Sequence, residues 1–237
     1  KADVCEIYTD VDGVFTADPR ILPAARKLDV ISCEEMLDLA ANGSKILHLR
    51  CVEYARRYGI PLHVRSSWSR HPGTLILDDP YGEGSDMEAP IITGIAHDLS
   101  EAKITAVGVP DELGKAADIF TAIADAGVSI DMIVQNVSAG DTGRTDISFT
   151  LPQAEGTKAL QALQALKSSI GFTELLYNDK IGKLSLIGAG MRTTPGISAK
   201  LFRALADASI NIDLISTSEI RVSVVTRSDQ LEARSEE

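Results

Sequence analysis

Apolar residues fall in short runs along the chain, and their spacing alternates between a strand period and a helix period. Residues 5–8 read as the end of a buried strand, followed by a loop rich in Asp. Ser32-x-x-Glu35 is a capping box. Its hydroxyl and carboxylate each take a backbone N–H that the first helical turn leaves free, so a helix opens there and runs through Leu39. Residues 44–58 predict a second helix that Gly59 ends, and 61–64 and 73–77 predict strands. Strands alternating with helices predict an α/β layer with a mainly parallel sheet. The acidic, Gly- and Pro-bearing stretch DDPYGEGSDMEAP, residues 78–90, has no period and reads as a linker.

Beyond it lies a duplication. The run ITAVGVPDELGKAADIFTAIADAGVSIDMIVQN (104–136) matches LSLIGAGMRTTPGISAKLFRALADASINIDLISTS (184–218). Gly114 falls against Gly196, Phe120 against Phe202, Asp125 against Asp207 and Asp131 against Asp213. A period of about 80 residues is too long for a solenoid unit and fits two copies of one small domain. In the first copy, 104–109 predicts a strand, and Ala117, Phe120, Ile123 and Ala124 the buried face of a helix that Gly127 stops. Strands at 128–134 and 145–151, a helix at 154–166 with Leu160, Leu163 and Leu166 on one side, and a strand at 172–177 complete a β-α-β-β-α-β, ferredoxin-like plan. The second copy repeats three strands and one helix to Val225 and begins another helix at Ser228. It is therefore expected to be incomplete at its C-terminus. The expected domains are 1–77, a linker at 78–90, a first repeat at 91–178 and a second at 179–237.

Composition narrows the class. Apolar residues at 44% and charged residues at 24% are ordinary for a folded globule. The balance of 23 basic against 34 acidic side chains, net −11, repels phosphate backbones, so no nucleic-acid partner is expected. No apolar run approaches the roughly 20 residues that span a bilayer, and no signal peptide precedes the first strand. A soluble, cytoplasmic chain with no membrane partner is expected. Cys5, Cys33 and Cys51 lack a C-x-x-C, and His48 with Cys51 offers only two ligands one turn apart, so no metal site is expected from these residues. The chain opens on Lys1 directly before a strand-like run, which suggests a piece of something longer.

Three places can carry chemistry. In TDVDGVFTADPR (9–20) three carboxylates, two hydroxyls and an Arg follow a strand, where ligand crevices of open α/β sheets form. Carboxylates there can hold Mg²⁺ through waters and an Arg can clamp phosphate; the same composition also serves a plain turn. Lys45 follows Gly43-Ser44 at an expected helix start, which suits either a phosphate contact or a solvated surface charge. The third place is the loop before the first helix of each repeat, 111–116 and 191–198. Free N–H groups there can receive a carboxylate while Asp111 or Asp131 receives an ammonium, together suiting a free amino acid. Trp68 reads as a packing residue, and Arg56, Arg57 and Arg65 as surface or interface charges.

The runs IYTDVDGVFTADPR, EEMLDLAANGSKILHLRCVEYARRYGIPLHVRSS and the paired repeats with QNVS and GAGM…PGISAKLF…NIDLISTSEIRVSV closely resemble bacterial aspartate kinases, most of all the actinobacterial type that lysine and threonine inhibit together. The resemblance covers almost the whole chain. It implies the C-terminal, ATP-binding part of an amino-acid-kinase α/β domain followed by two ferredoxin-like ACT domains. It also implies phosphorylation of L-aspartate by ATP with Mg, feedback control by lysine and/or threonine, and a dimer or larger assembly. Nucleotide contacts are implied for Thr9, Asp10, Phe15, Thr16, Ala17, Asp18, Pro19, Arg20 and Lys45. Regulatory contacts are implied for Asp111, Glu112, Leu113, Gly114, Lys115, Ala116, Ser129, Ile130, Asp131 and Gln135 in the first repeat. In the second they fall on Ile197, Ser198, Asn211, Ile212, Ser218 and Glu219. The family's K-x-G-G motif is absent, so catalytic groups are expected upstream of Lys1. A free-standing regulatory chain, binding amino acid and a catalytic partner, is the competing expectation.

Overall fold

The computed structural model describes residues 2–82, 90–137 and 143–232; positions 83–89 of the expected linker and 233–237 of the expected tail lie outside them. The chain divides into two compact units. One holds Lys1–Asp98, Lys183–Thr226 and Gln230–Glu237; the other holds Leu99–Gly182 and Arg227–Asp229.

The first unit opens with strands β1 (Cys5–Thr9) and β2 (Val30–Ser32), helices α1 (Cys33–Ala41) and α2 (Leu49–Arg57), and strands β3 (Leu62–Ser66) and β4 (Thr74–Leu77). Its sheet runs β1-β3-β4-β2. The β1–β3 and β2–β4 pairs are parallel and β3–β4 is antiparallel, so the sheet is mixed where a mainly parallel one was expected. Among the described residues the first strand, expected buried, lies at the sheet's edge and exposes Cys5, Glu6 and Tyr8, with Glu6 taking the Tyr8 hydroxyl and the Arg65 guanidinium while Ile7 packs on the core. Beneath the sheet, Ile31, Met36, Leu39, Val52, Leu62, Val64 and Ile76 form one apolar cluster, each contributing about 1.5–3 kcal/mol on burial. The capping box forms as expected, with Ser32 at the cap of α1. The second helix is shorter than expected. It begins at Leu49 after a His48 cap, because Leu47 turns into the core and 44–48 make turns instead. The unit continues with β5 (Gly94–Asp98).

The second unit contains β6 (Glu101–Pro110), α3 (Lys115–Asp125), β7 (Ile133–Val137), β8 (Arg144–Pro152), α4 (Gly156–Ala165), the short α5 (Lys167–Ile170) and β9 (Glu174–Asn178). Its antiparallel sheet runs β7-β8-β6-β9, as a ferredoxin-like module requires. Ile104, Phe149, Ile119, Ile123, Leu163 and Phe172 share one core, with Phe120 edge-on to Phe149 at 5.7 Å. The buried face of α3 is set by Ala116, Ile119, Phe120 and Ile123; Ala117 and Ala124, expected inside, are exposed. The third element also starts later than expected. Residues 128–132 reach the sheet as a loop, tied by the Asp131 N–H to the Thr150 carbonyl and the Thr150 N–H to the Met132 carbonyl.

The second repeat supplies β10 (Ile181–Ile187), α6 (Ile197–Asp207), β11 (Leu214–Thr217), β12 (Arg221–Arg227) and the short α7 (Ser228–Glu232). Its sheet runs β11-β12-β10-β5. Residues 94–98, allotted by a boundary at 91 to the first repeat, are therefore hydrogen-bonded antiparallel to β10 of the second, from Lys183↔Asp98 to Ile187↔Gly94. The expected gap at the fourth strand position is filled from upstream. Among the described residues no helix is long and apolar enough to cross a membrane.

Candidate functional site

The Asp-rich loop after β1 is shaped by glycine and threonine. Gly13 has φ +139°, and a Cβ there would overlap the Thr74 hydroxyl, which accepts the Val14 N–H at 2.9 Å and donates to the Leu28 carbonyl at 2.5 Å. The chain then forms a narrow ladder. Phe15 pairs with Lys27, the Thr16 N–H donates to the Arg26 carbonyl at 2.9 Å, and the Arg26 N–H donates to the Thr16 hydroxyl at 3.0 Å. The segment ends in a self-closed turn where the Ile21 and Leu22 N–H groups converge on the Asp18 carbonyl. Within it Ala17 is half-buried and Pro19 exposed.

The carboxylates divide by partner. Thr9 donates its hydroxyl to Asp10 at 3.0 Å, and Ser69 donates to Asp12 at 2.5 Å. Asp18 instead takes the Arg20 guanidinium through Nε and Nη2, at 3.0 and 2.6 Å, and the Arg20 N–H at 2.9 Å. That guanidinium holds the Asp18 carboxyl below the usual carboxylate range, and nearby His97 acts in the same direction. The fork expected to face phosphate is thus closed on Asp18, with its outer side exposed. Lys45 is exposed in the turn before α2 rather than in a first helical turn, so a helix dipole does not reinforce its charge. Trp68 is not a packing residue, being 84% exposed. Its loop is nonetheless fixed to the acidic loop through the Ser67 N–H on the Thr9 carbonyl at 2.8 Å and through Ser69 on Asp12.

Both candidate phosphate loops rest on β5. The Ile95 N–H donates to the Thr16 carbonyl at 2.8 Å, and Gly43, at φ +111°, lies so close to His97 that a Cβ would overlap the His97 carbonyl. A second set of contacts lies along α1, which sequence reasoning did not mark as functional. Glu35 is fully buried. One carboxylate oxygen takes the Ser32 N–H and hydroxyl at 3.2 and 2.8 Å; the other takes the Thr93 hydroxyl at 2.5 Å and the Ala189 N–H at 3.0 Å. Burial and the Glu35 charge push the half-buried Tyr81 phenol up to about 12. At the far end of α1, Asn42 accepts the Ser185 hydroxyl at 2.9 Å, and Ser185 meets Ser223 at 2.8 Å. The only signal for Glu35 in the sequence was its capping box, which explains one of the four bonds to its carboxylate, that from the Ser32 N–H.

Of the expected regulatory residues, Gly114 (φ +94°) and Gly196 (φ +87°) open α3 and α6 in the left-handed region, with no side chain capping either helix. Around α3, Asp111, Glu112 and Leu113 are exposed and Ala116 packs on the core. Lys115 already donates to the Ser169 carbonyl at 3.1 Å. The Ser129 N–H donates to Glu155 at 2.9 Å; Ile130 is half-buried and packs on the core, and Asp131 and Gln135 are exposed. Around α6, Ile197 is buried, Ser198 and Ile212 are half-buried, and Asn211 is exposed. Ser218 and Glu219 border a separate open cavity of about 340 Å³ with Glu34, Asp38 and Arg192. Arg192 bridges Glu34 at 3.3 Å and Glu219 at 3.1 Å. Burial pushes the Cys33 and Cys51 thiols up from the ordinary thiol value.

Residues 1–66 match the amino acid kinase family model, and 104–166 and 184–233 match the ACT domain model. The aspartokinase of Mycolicibacterium smegmatis is 60% identical over 98% of this chain. The chain spans about half of that relative, 54% of its length. The crystal structure of Clostridium acetobutylicum aspartate kinase superposes with a TM-score of 0.84 at 27% identity, over 98% of this chain and 53% of that one. The regulatory subunit of aspartate kinase from Thermus thermophilus is 37% identical, with a TM-score of 0.57, over 62% of this chain and 95% of the subunit. One relative matched almost end to end here and another matched over almost all of this sequence lead to the same assignment: the chain belongs to the aspartate kinase family.

Proposed function

We propose that this chain supplies the nucleotide-facing part and the regulatory modules of an ATP-dependent aspartate kinase, which transfers the γ-phosphoryl group to the β-carboxylate of L-aspartate and forms 4-phospho-L-aspartate. That reaction opens lysine, threonine and methionine biosynthesis. The observation that carries the reading is the seating of both phosphate-facing loops, 15–20 and 43–45, on the strand that completes a regulatory sheet. Phosphoryl transfer depends mostly on positioning and charge neutralisation, and a loop pinned at Gly13, Thr16 and Asp18 meets that need. Thr9, Asp10 and 15–20 border the nucleotide, Lys45 provides an exposed point charge, and Arg20 offers the outer side of its guanidinium to phosphate. Magnesium arriving with ATP would neutralise phosphate charge. Asp10 and Asp12 suit it, since their partners are the neutral hydroxyls of Thr9 and Ser69, whereas Arg20 already neutralises Asp18.

The twin modules take lysine and/or threonine where α3 and α6 open, and a dimer or larger assembly forms around them. Residues 1–77 act as the kinase part, with a linker after them, and 94–98 serve the second module rather than the first. Titration of the chain with MgATP tests the nucleotide half. Lys45→Ala and Arg20→Ala should each weaken binding by about tenfold or more; unchanged affinity in both removes the assignment. A regulatory-subunit reading is favoured by the near-complete coverage of the Thermus thermophilus subunit. An assay of ATP consumption with aspartate, beside calorimetry with lysine and threonine, separates the two, binding without turnover supporting the regulatory chain.

A further inference from the structure

Glu35 belongs to neither the phosphate loops nor the amino-acid loops, yet it is the fully buried carboxylate at which three segments meet. Ser32 belongs to the start of α1, Thr93 immediately precedes β5, and Ala189 stands in the 3₁₀ turn (Ala189–Arg192) that begins the loop ahead of α6. All four donors converge on two oxygens of one side chain. Hydrogen bonds to a buried charge are strong in proportion to their desolvation, and losing one leaves the rest poorly compensated. A shift of the 188–192 turn therefore cannot leave Thr93 in place without breaking a bond to the shared oxygen Oε1.

Thr93 passes the constraint on within two residues. Its own N–H donates to the Ile187 carbonyl at 2.8 Å, and Ile95 then donates to the Thr16 carbonyl at 2.8 Å. Between them Gly94 packs so closely that a Cβ would stand 3.2 Å from that same Thr16 oxygen. Arg192, at the other end of the turn, adds a second tie to α1 through Glu34. The turn, the carboxylate, the head of β5 and the 15–20 loop are thus joined by hydrogen bonds and the short backbone stretch 93–95, without residues 78–90.

We infer that Glu35 is a positioning residue: it couples the amino-acid loop of the second module to the phosphate-facing loop at 15–20 through Thr93 and Ile95. The inference rests on the regulatory reading above and names the route its signal takes. Ligand that draws the 188–198 loop toward itself pulls on Oε1, and the Thr16 carbonyl moves with β5. Such control amounts to a coupling free energy between two sites, and removing the shared acceptor should abolish the coupling while leaving each site able to bind.

The test is hydrogen exchange on the whole chain, with and without saturating lysine plus threonine, for wild type and Glu35→Gln. Glutamine keeps the shape but replaces one doubly accepting oxygen with a donor. Wild type should show slower exchange in both the 188–198 loop and residues 15–20 on adding ligand. In Glu35→Gln the loop should still respond and residues 15–20 should not. If residues 15–20 respond equally in both proteins, the coupling role of Glu35 is wrong while the regulatory reading stands. If neither module of wild type responds, that reading fails and takes the inference with it.

Should Glu35→Gln not fold, Ala189→Pro removes one donor alone. Gly188 before it is extended (φ 173°, ψ 129°), a conformation that a following proline accepts. This variant, without ligand, should raise exchange at Ile95 and Thr16 by about tenfold and leave Leu62 and Ile76 unchanged. A uniform rise across the unit would show a merely structural role.

Discussion

In residues 99–182 the fourth sheet position is filled by β9, which follows the module's own second helix; in the second repeat the matching position, beside β10, is filled by β5, laid down before the first repeat begins. Each strand pairs antiparallel with the first strand of its repeat. One sheet is thus closed locally and the other by a strand that also holds Thr16 and abuts Gly43. A self-closed module can answer a ligand alone. A module closed by a borrowed strand moves whatever else that strand supports, and here this is the 15–20 loop, through the Ile95 N–H on the Thr16 carbonyl.

Five substitutions sharpen this contrast. The largest effect is expected from Ala96→Asp, which places an unpaired carboxylate in the apolar cluster Ala96 shares with Ile187. It should destabilise the first unit by about 4–5 kcal/mol. Calorimetry should show that unit's transition falling while the second unit's holds; movement of both transitions would mean the borrowed strand does not separate them. The converse is Phe149→Ala, which empties the core of the locally closed module and should cost about 3–4 kcal/mol in that transition alone.

A smaller step compares two glycines. Gly43→Ala must displace the His97 backbone as well as strain a left-handed residue, so about 2–3 kcal/mol is expected from the first unit. At Gly114, also left-handed, a Cβ meets nothing within 4 Å, and Gly114→Ala should cost only about 1 kcal/mol from the second unit. Equal losses would show that the approach to β5 is not tight. The smallest effect belongs to Asp18 and Arg20, whose guanidinium is 85% exposed. Because the folded Asp18 carboxyl sits below its unfolded value of about 3.9, its contribution is complete at neutral pH and fades as pH falls below about 4. Asp18→Asn should flatten that part of the acid stability curve; a slope identical to wild type would show that the pair contributes nothing to folding.

The local grammar of the chain was readable in advance, and the long-range pairing was not. Ser32 and Glu35 sit three residues apart and announce a helix start, and the repeat of Gly114 at Gly196 announces two modules with one plan. The same Glu35 carries its other two bonds to Thr93 and Ala189, separations that no spacing rule spans. Residues 94–98 read GIAHD, too short and too mixed for a period, and only their pairing with β10 makes them a strand. Lys45 lies outside the helix although 44–58 has helical spacing throughout, because burial of Leu47 forces turns before His48 can cap α2. Trp68 departs from the tendency of large aromatic residues to be inside, because its loop is held by Ser67 and Ser69 instead.

Native-state hydrogen exchange in rising denaturant tests the borrowed strand most directly. If β5 closes the second module and anchors the 15–20 loop, amides of Ala96, Leu184 and Val222 will open in the same cooperative step as Leu62 and Ile76, apart from Ile104 and Phe149. Opening of Leu184 and Val222 together with Ile104 and Phe149, while Leu62 and Ile76 stay protected, would contradict it.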